Sequence, residues 1–301
     1  MRRLRALLLT LIGVFIAGCG IGSTDGGDIV VTTNILGDVV RHIVGDAAPV
    51  RVLMQAGADP HSFGISAQDA TAMNDAALIV HNGLGLEENL VRNVESAAAQ
   101  GVPTLAVGEH IDPIRYTDGE SAGSPDPHFW TDPQRMITAV DVIESSLLQD
   151  VAGIDRVALS RNAEAYREQL RALDRYMLDG FAVLPAERRK LVTNHHVLGY
   201  LAQRFDFEVI GAVVPSGTTL AAPSPSDLQS LVGAIEDARV PAIFVDSSQP
   251  DKLARVLAED AGVRVRIIGL YSESLSAPGT PGATYLDMMR ANTDAIVTGL
   301  R

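Results

Sequence analysis

Residues 28–53 read DIVVTTNILGDVVRHIVGDAAPVRVL, and this stretch decides the fold class. An apolar run at 29–32 precedes an amphipathic segment at 35–44, and a second short apolar run follows at 50–53. Short β-branched runs favour strands, whereas apolar residues three and four positions apart favour a helix. The stretch therefore predicts a strand, a helix and a second strand, which is the unit of a parallel sheet covered by helices.

The same alternation continues along the chain in two series. The first series adds predicted strands at 78–81 and 104–107 and predicted helices at 66–76 and 88–99. The second series has predicted strands at 191–193, 208–213, 242–245 and 265–268, and predicted helices at 199–205, 225–236, 251–261 and 284–300. Ser66 and Ser224 each stand at a helix start with Asp three residues later, a spacing typical of a capping box. We therefore predict an α/β protein with two similar lobes, each on a mainly parallel sheet.

Residues 155–182 lie between the two series and predict one long helix. Their apolar residues recur at helical spacing, and the segment contains no proline. A helix of this length spans roughly 38 Å at 1.5 Å per residue, enough to join two lobes rigidly. The predicted organisation is an N-terminal lobe at 28–154, a linking helix at 155–182 and a C-terminal lobe at 183–301.

The first residues of the chain have the pattern of a processing signal. Three arginines within the first five residues precede an apolar run at 7–17, which is short for a membrane span. The run ends in IAGC, and Cys19 is the single cysteine of the sequence, so it has no internal disulfide partner. This pattern resembles a bacterial lipobox. We expect a signal peptide at 1–19, lipidation of Cys19, a flexible tether at 20–27, and an extracytoplasmic domain anchored to the bacterial membrane.

The composition excludes one class of partner. The chain has 301 residues and a formal net charge of −13, so nucleic acid is not an expected ligand. Surface charge is screened over about 8–10 Å at physiological salt, so acidity alone cannot select a metal. Selectivity must come from specific ligand side chains.

Histidine recurs in three separate loops. His128 lies in PDPHFWTDP at 125–133, where the prolines stiffen the backbone. His61 repeats the Asp-Pro-His triplet, and His195 follows the predicted strand at 191–193. Open α/β sheets bind ligands beyond the carboxyl ends of their strands. We therefore predict that the three imidazoles meet in the cleft between the lobes.

Glu273 is the predicted fourth ligand, since it follows the last predicted strand and reaches the same edge. Asp246 also ends a strand and is the alternative carboxylate. Three imidazoles and one carboxylate are a ligand set that suits zinc.

The remaining histidines and two aspartates have other expected roles. The sequence predicts a surface position for His42, a solvated loop for His110, support of the ligand histidines by His81 and His196, and capping of local turns by Asp59 and Asp126.

Together, these motifs resemble the zinc and manganese solute-binding lipoproteins of ABC transporters, the ZnuA and TroA type of cluster A-I. The resemblance runs from the lipobox to the C-terminus. It is carried by ADPH at 58–61, NGLGLE at 82–87, DPHFW at 126–130, His195 with GY at 199–200, and YLDMMR at 285–290. Residues 107–125 are short and hold His110 alone, which resembles the AztC-type subset without a His-rich loop.

The resemblance implies two lobes joined by a rigid helix, with small lobe movement. It implies metal ligands at His61, His128 and His195, with Glu273 at a position where the family usually has Asp. The implied partners are a membrane permease and its ATP-binding subunit, with a metallochaperone as an open alternative for loading. A monomer is expected.

Capture of Zn²⁺ for an ABC importer is therefore the expected function. The first alternative is a Mn²⁺ or Fe²⁺ carrier of the same family. The second is a surface zinc metallohydrolase, but the sequence has no HExxH helix, and a fourth protein ligand would close the position that catalysis needs.

Overall fold

The computed structural model describes residues 27–117, 119, 121–260 and 265–301. The predicted signal peptide with Cys19, and residues 20–26 of the predicted tether, lie outside this part of the chain. Within it, no helix has the length and apolar character that a membrane crossing requires.

The first lobe is a four-stranded parallel sheet flanked by helices. Its strands are β1 (Ile29–Val31), β2 (Val50–Val52), β3 (Leu78–His81) and β4 (Thr104–Ala106), in the order β2-β1-β3-β4. Its helices are α1 (Asn34–Val44), α2 (Ala67–Asn74), α3 (Val91–Ala99) and α4 (Pro133–Asp150). The central strand β1 is fully buried, as expected for a sheet covered on both faces.

Helix α5 (Arg156–Ala182) connects this sheet to the second one. Its 27 residues correspond to about 40 Å, and Asp155 caps its first turn by accepting hydrogen bonds from the backbone amides of Val157 and Ala158. The buried residues of α5 face α1, α4 and α9 (Tyr285–Leu300). The helix therefore packs on elements from both sides of the cleft.

The second lobe repeats the arrangement of the first. Its strands are β5 (Lys190–Thr193), β6 (Glu208–Ala212), β7 (Ala242–Asp246) and β8 (Arg266–Leu270), and its other helices are α6 (Gly199–Phe205), α7 (Pro225–Ala238) and α8 (Lys252–Asp260). The strands are parallel in the order β6-β5-β7-β8. The two sheets therefore share one topology, and the predicted fold class is confirmed. All eight predicted strands are present, with ends within two residues of the prediction.

The predicted capping boxes at Ser66 and Ser224 are both present. Helix α4 was not predicted, although its sequence carries a start signal. Asp132 accepts a hydrogen bond from the Gln134 amide, and Pro133 occupies the first turn. This start signal lies at the end of the proline-rich loop that carries His128, so the sequence there was interpreted as loop.

One apolar core runs through both lobes. It includes residues of β1, all the buried apolar residues of α5, and residues of β7 and α9. Smaller separate clusters lie under α7 and α8 in the second lobe and under α2 and α3 in the first.

A buried carboxylate links three helices within this core. Asp174 of α5 accepts hydrogen bonds from Gln134 of α4 at 2.9 Å and Arg204 of α6 at 2.8 Å. The linking helix is thus bonded to helices of both lobes.

Candidate metal centre

The shared topology brings four loops to one point. In each sheet the connections leave the central strands in opposite directions, which opens a crevice beyond their carboxyl ends. His195 lies two residues after the end of β5, and Glu273 lies three residues after the end of β8. His61 lies in the loop after β2, and His128 ends the long connection from β4 to α4. The structure therefore brings together the four residues that the sequence predicts as ligands.

The ligand atoms of these four residues have the spacing of a tetrahedral site. The Nε2 atoms of His61 and His128 are 3.4 Å apart. Glu273 Oε1 lies 3.0 Å from His195 Nε2 and 3.5 Å from His128 Nε2, and its Oε2 lies 3.8 Å from His61 Nε2. Bonds of 2.0–2.1 Å to a tetrahedral zinc would separate the ligands by about 3.3 Å. The observed separations scatter around this value.

The cluster is also fully enclosed. Each of the four side chains is at most 1% exposed. His195 Nε2 and both Glu273 carboxylate oxygens are buried without a hydrogen-bond partner. Buried polar atoms are normally satisfied, and unsatisfied ones are costly. A cation at the centre would satisfy these atoms together, so the residues fit a bound metal ion.

Burial shifts the pKa values of the histidines and of the carboxyl group in opposite directions. It lowers the pKa of His61 to about 2, with a further contribution from the neighbouring His128 and His195. Burial also lowers the pKa of His195 and raises that of Glu273 well above its usual range. The two imidazoles are therefore neutral and able to donate a lone pair, whereas the carboxyl group holds its proton more tightly than in water.

We expect metal binding to release a proton from Glu273. The raised pKa favours the protonated acid in the empty site, and a metal ligand must be deprotonated. Zinc affinity should therefore rise with pH until the pKa of Glu273 is passed. Calorimetry in buffers of different ionisation enthalpy measures the released protons. The Glu273→Gln variant should release fewer, and equal proton release from both chains would contradict this assignment.

Asp126 orients His128. Its Oδ1 accepts hydrogen bonds from the backbone N–H of His128 at 2.9 Å and from Nδ1 of the same ring at 2.7 Å. The second bond places the ring proton on Nδ1 and leaves Nε2 to face the cluster. The Tyr116 hydroxyl lies 3.1 Å from the same Nδ1. Asp126 therefore caps its own turn, as predicted, and fixes a ligand ring as well.

The Asp126→Asn variant should bind Zn²⁺ about 10–100-fold more weakly, the usual cost of losing such a supporting carboxylate. The amide keeps the volume of the side chain but loses the charge that holds the Nδ1 proton. Competition with a zinc chelator measures the affinity. Exposed Asp112→Asn is the matched control, and an equal effect of both variants would contradict the orienting role.

Asp246 holds the Glu273 loop by backbone hydrogen bonds. Its Oδ2 accepts the amides of Ser272 and Glu273, each at 3.0 Å, and the Ser272 hydroxyl at 2.6 Å. Its other oxygen accepts the Ser248 amide at 2.7 Å. Among the described residues the candidate ligand group is His61, His128, His195 and Glu273, without Asp246. The alternative carboxylate thus positions the Glu273 loop.

The other histidines lie outside the cluster. His42 is exposed and stacks on Tyr166, with ring centroids 4.9 Å apart. His110 is exposed, as predicted. His196 lies beside Tyr116, at 6.2 Å between rings. His81 is half-buried at the end of β3, where burial lowers its pKa and the charges of Glu87 and Glu109 oppose that change. Its expected support of a ligand histidine is not among the contacts seen.

Two residues that support the metal ligands were not predicted from the sequence. Tyr116 lies in a loop with no periodicity, so nothing in its neighbourhood indicates contact with His128. Asn34 begins α1 three residues after the end of β1, and its position beyond a strand end is a usable signal. Its side chain donates to Ser274 Oγ at 2.8 Å and accepts the Leu275 amide at 2.9 Å. Asn34 therefore holds the loop after Glu273 from the opposite lobe.

Comparison with known proteins identifies the family. The family model described as the periplasmic zinc-uptake complex component A, ZnuA, matches residues 29–299. The chain belongs to this family. Members of the ZnuA family are metal-binding components of ABC transporters, which work with permease and ATPase subunits, and they are not enzymes. The metallohydrolase alternative is therefore excluded.

Similar proteins within the ZnuA family carry the names of different metals. The manganese-binding lipoprotein MntA of Halalkalibacterium halodurans is 30% identical over 98% of this chain and 97% of its own length. The zinc-binding protein TroA of Treponema pallidum is 33% identical over 92% of this chain and 90% of its own. The iron-binding protein YfeA of Yersinia pestis is 28% identical over 90% of this chain and 85% of its own. The solved structure of TroA has a TM-score of 0.84, with 32% identity over 91% of this chain and 99% of TroA.

Proposed function

We propose that this protein captures Zn²⁺ outside the cytoplasm and delivers it to the permease of an ABC importer. The ligands are His61, His128, His195 and Glu273. The observation that carries the proposal is the buried set of three imidazoles and one carboxylate at tetrahedral spacing. Imidazole-rich tetrahedral sites suit zinc, whereas manganese prefers oxygen-rich, higher-coordinate sites.

A Mn²⁺ or Fe²⁺ carrier is the second candidate, and the position of Glu273 favours it. Both carboxylate oxygens point into the cluster, since Oε1 lies near His195 and His128 while Oε2 lies near His61. Bidentate binding would give five protein ligand atoms, closer to what manganese takes. The names of MntA and YfeA support the same alternative.

The cellular setting of the proposal follows from the N-terminal motif and the relatives. Cys19 carries the lipid that anchors the protein to the membrane, and MntA is named as a lipoprotein. The protein acts as a monomer with lobes at 28–154 and 183–301 and a linking helix at 155–182. The short segment before His128 supports membership of the AztC-type subset, in which a metallochaperone is an alternative route of loading.

Affinity alone does not separate the two candidates, because most nitrogen and oxygen sites bind Zn²⁺ more tightly than Mn²⁺. The test is uptake. A strain lacking the gene should grow poorly under zinc limitation and normally under manganese limitation, and the wild-type gene should restore growth. The Glu273→Ala gene should fail to restore it, whereas the His110→Ala gene should succeed. A growth defect confined to manganese limitation would overturn the zinc assignment.

X-ray absorption of the loaded protein tests the coordination directly. Zinc held by four nitrogen or oxygen ligands should give a single shell at about 2.0–2.1 Å. A shell of five or six ligands would favour the second candidate.

A further inference from the structure

The two lobes contact each other through two sets of hydrogen bonds near the metal centre, and the two sets differ in burial. On the Glu273 side the contacts are buried. Trp130 Nε1 donates to the carbonyl of Ser272 at 2.8 Å, and Asn34 bonds to Ser274 and to the Leu275 amide. These groups are shielded from water, so this side is a stable joint.

The second set consists of more exposed side-chain bonds, which we call the latch. It consists of Thr218, Thr219 and Gln249 from the second lobe and Asp59 and Glu88 from the first. Thr219 Oγ1 donates to Asp59 Oδ2 at 2.6 Å, and Gln249 Nε2 donates to the same oxygen at 3.0 Å. Thr218 Oγ1 donates to Glu88 Oε1 at 2.6 Å. None of these five side chains belongs to the buried core.

Both latch carboxylates also face His61. The other oxygen of Asp59 accepts the backbone N–H of His61 at 3.0 Å, which fixes the turn that carries this ligand. Glu88 Oε1 lies 3.8 Å from His61 Nδ1. Two adjacent threonines of the second lobe therefore hold the two acidic groups that flank one ligand of the first lobe.

An enclosed ion can leave only if the protein opens, since the four ligand side chains are at most 1% exposed. The buried joint and the latch are the two places where the cleft could part. One latch bond is exposed and two are half-buried, so water competes for them, whereas the bonds of the joint are buried. Opening is therefore easier at the latch. Gly57, four residues before His61, is bonded to the carbonyl of Leu275 and to Ser274 Oγ on the joint side, so parting at the latch moves the His61 turn relative to that fixed point.

We infer that Thr218 and Thr219 are positioning residues that control metal exchange by holding the His61 loop closed through Asp59 and Glu88. The inference rests on the proposed metal site. It concerns the rates at which the ion enters and leaves, and it assigns His61 as the ligand that moves.

The test uses the full-length chain purified in detergent and loaded with Zn²⁺. The Thr218→Val/Thr219→Val double variant keeps the side-chain shapes and removes both hydroxyl donors. Release into an excess of a coloured zinc chelator, followed by stopped flow, gives the dissociation rate, and mixing metal-free protein with Zn²⁺ gives the association rate. Thr280→Val is the matched control, because its exposed hydroxyl bonds within its own loop, to the carbonyl of Ala277.

We expect the double variant to release Zn²⁺ at least about ten-fold faster, since a single lost bond to a charged group is worth about this factor and the variant loses two. The association rate should rise as well, because the latch slows both the entry and the release of the ion. The Thr218→Ser/Thr219→Ser variant keeps both hydroxyl groups and should restore both rates. A change in dissociation of less than twofold relative to Thr280→Val overturns the inference. A faster release with an unchanged association rate also overturns it, since that result indicates a displaced ligand.

A separate measurement of equilibrium binding distinguishes a failure of the proposed metal site from a failure of the latch. One Zn²⁺ per chain should bind to the wild type and to the double variant, and His61→Ala should lower the equilibrium affinity. If His61→Ala leaves the Zn²⁺ affinity unchanged, the proposed site is wrong, and the latch inference, which rests on that site, is rejected as well. If only the rates fail to change, the site stands and the latch alone is rejected.

Discussion

The His128→Ala variant should bind Zn²⁺ more than about 100-fold more weakly than the wild type. Loss of a supporting carboxylate behind a ligand histidine already costs 10–100-fold, and this substitution removes the ligand as well. It also leaves the buried Asp126 carboxylate without the Nδ1–H that it now accepts. Chelator competition measures the loss. Trp130 offers a second readout, because its ring lies 5.2 Å from that of His128.

The control for this prediction is His110→Ala. That histidine is exposed in the loop before the site, so its loss should change zinc affinity by less than twofold. A His128→Ala protein that binds zinc as the wild type does would remove His128 from the site.

Saturation with Zn²⁺ should raise the free energy of unfolding by about 4 kcal/mol when free zinc exceeds the dissociation constant 1,000-fold. The four ligands come from loops of both lobes and cannot form the site in the unfolded chain, so binding favours the native state alone. For a chain of this size the gain corresponds to roughly 8 °C in Tm. Differential scanning calorimetry with and without a chelator measures the shift.

The same shift should be smaller in Glu273→Ala at equal total zinc, because a site about 100-fold weaker leaves only a ten-fold excess of zinc over the dissociation constant, worth about 1.4 kcal/mol. Equal shifts in the two proteins would mean that zinc stabilises the chain at another place. The surface variant His42→Ala serves as the control, since its ring is exposed and is not part of the candidate ligand group among the described residues.

The strands, most helices and the four residues of the cluster could be predicted from the sequence. Strand ends in a parallel sheet point to one edge, so His61, His195 and Glu273 could be placed together without knowledge of their contacts. Helix α5 was equally clear, because its apolar spacing continues without proline or an early glycine. These features depend on local pattern and on the general rules of α/β sheets.

The features that could not be predicted from the sequence depend on contacts between residues far apart in the chain. Asp59 was predicted to cap a turn, and it does, but its bonds to Thr219 and Gln249 join positions 160 and 190 residues away. No local pattern reports such a partner. Asp246 shows the same difficulty, because a carboxylate at a strand end can bind a metal or hold a loop, and the choice depends on where the next loop passes.

The shared core around α5 has a consequence for how the molecule unfolds. Because the same apolar cluster includes β1 of one lobe and β7 of the other, neither lobe can lose its packing without exposing that of its neighbour. The two lobes should therefore melt in one cooperative transition, with or without metal. The outer clusters under α2, α3, α7 and α8 are separate from this core, so their amides should exchange with solvent first and those of α5 last.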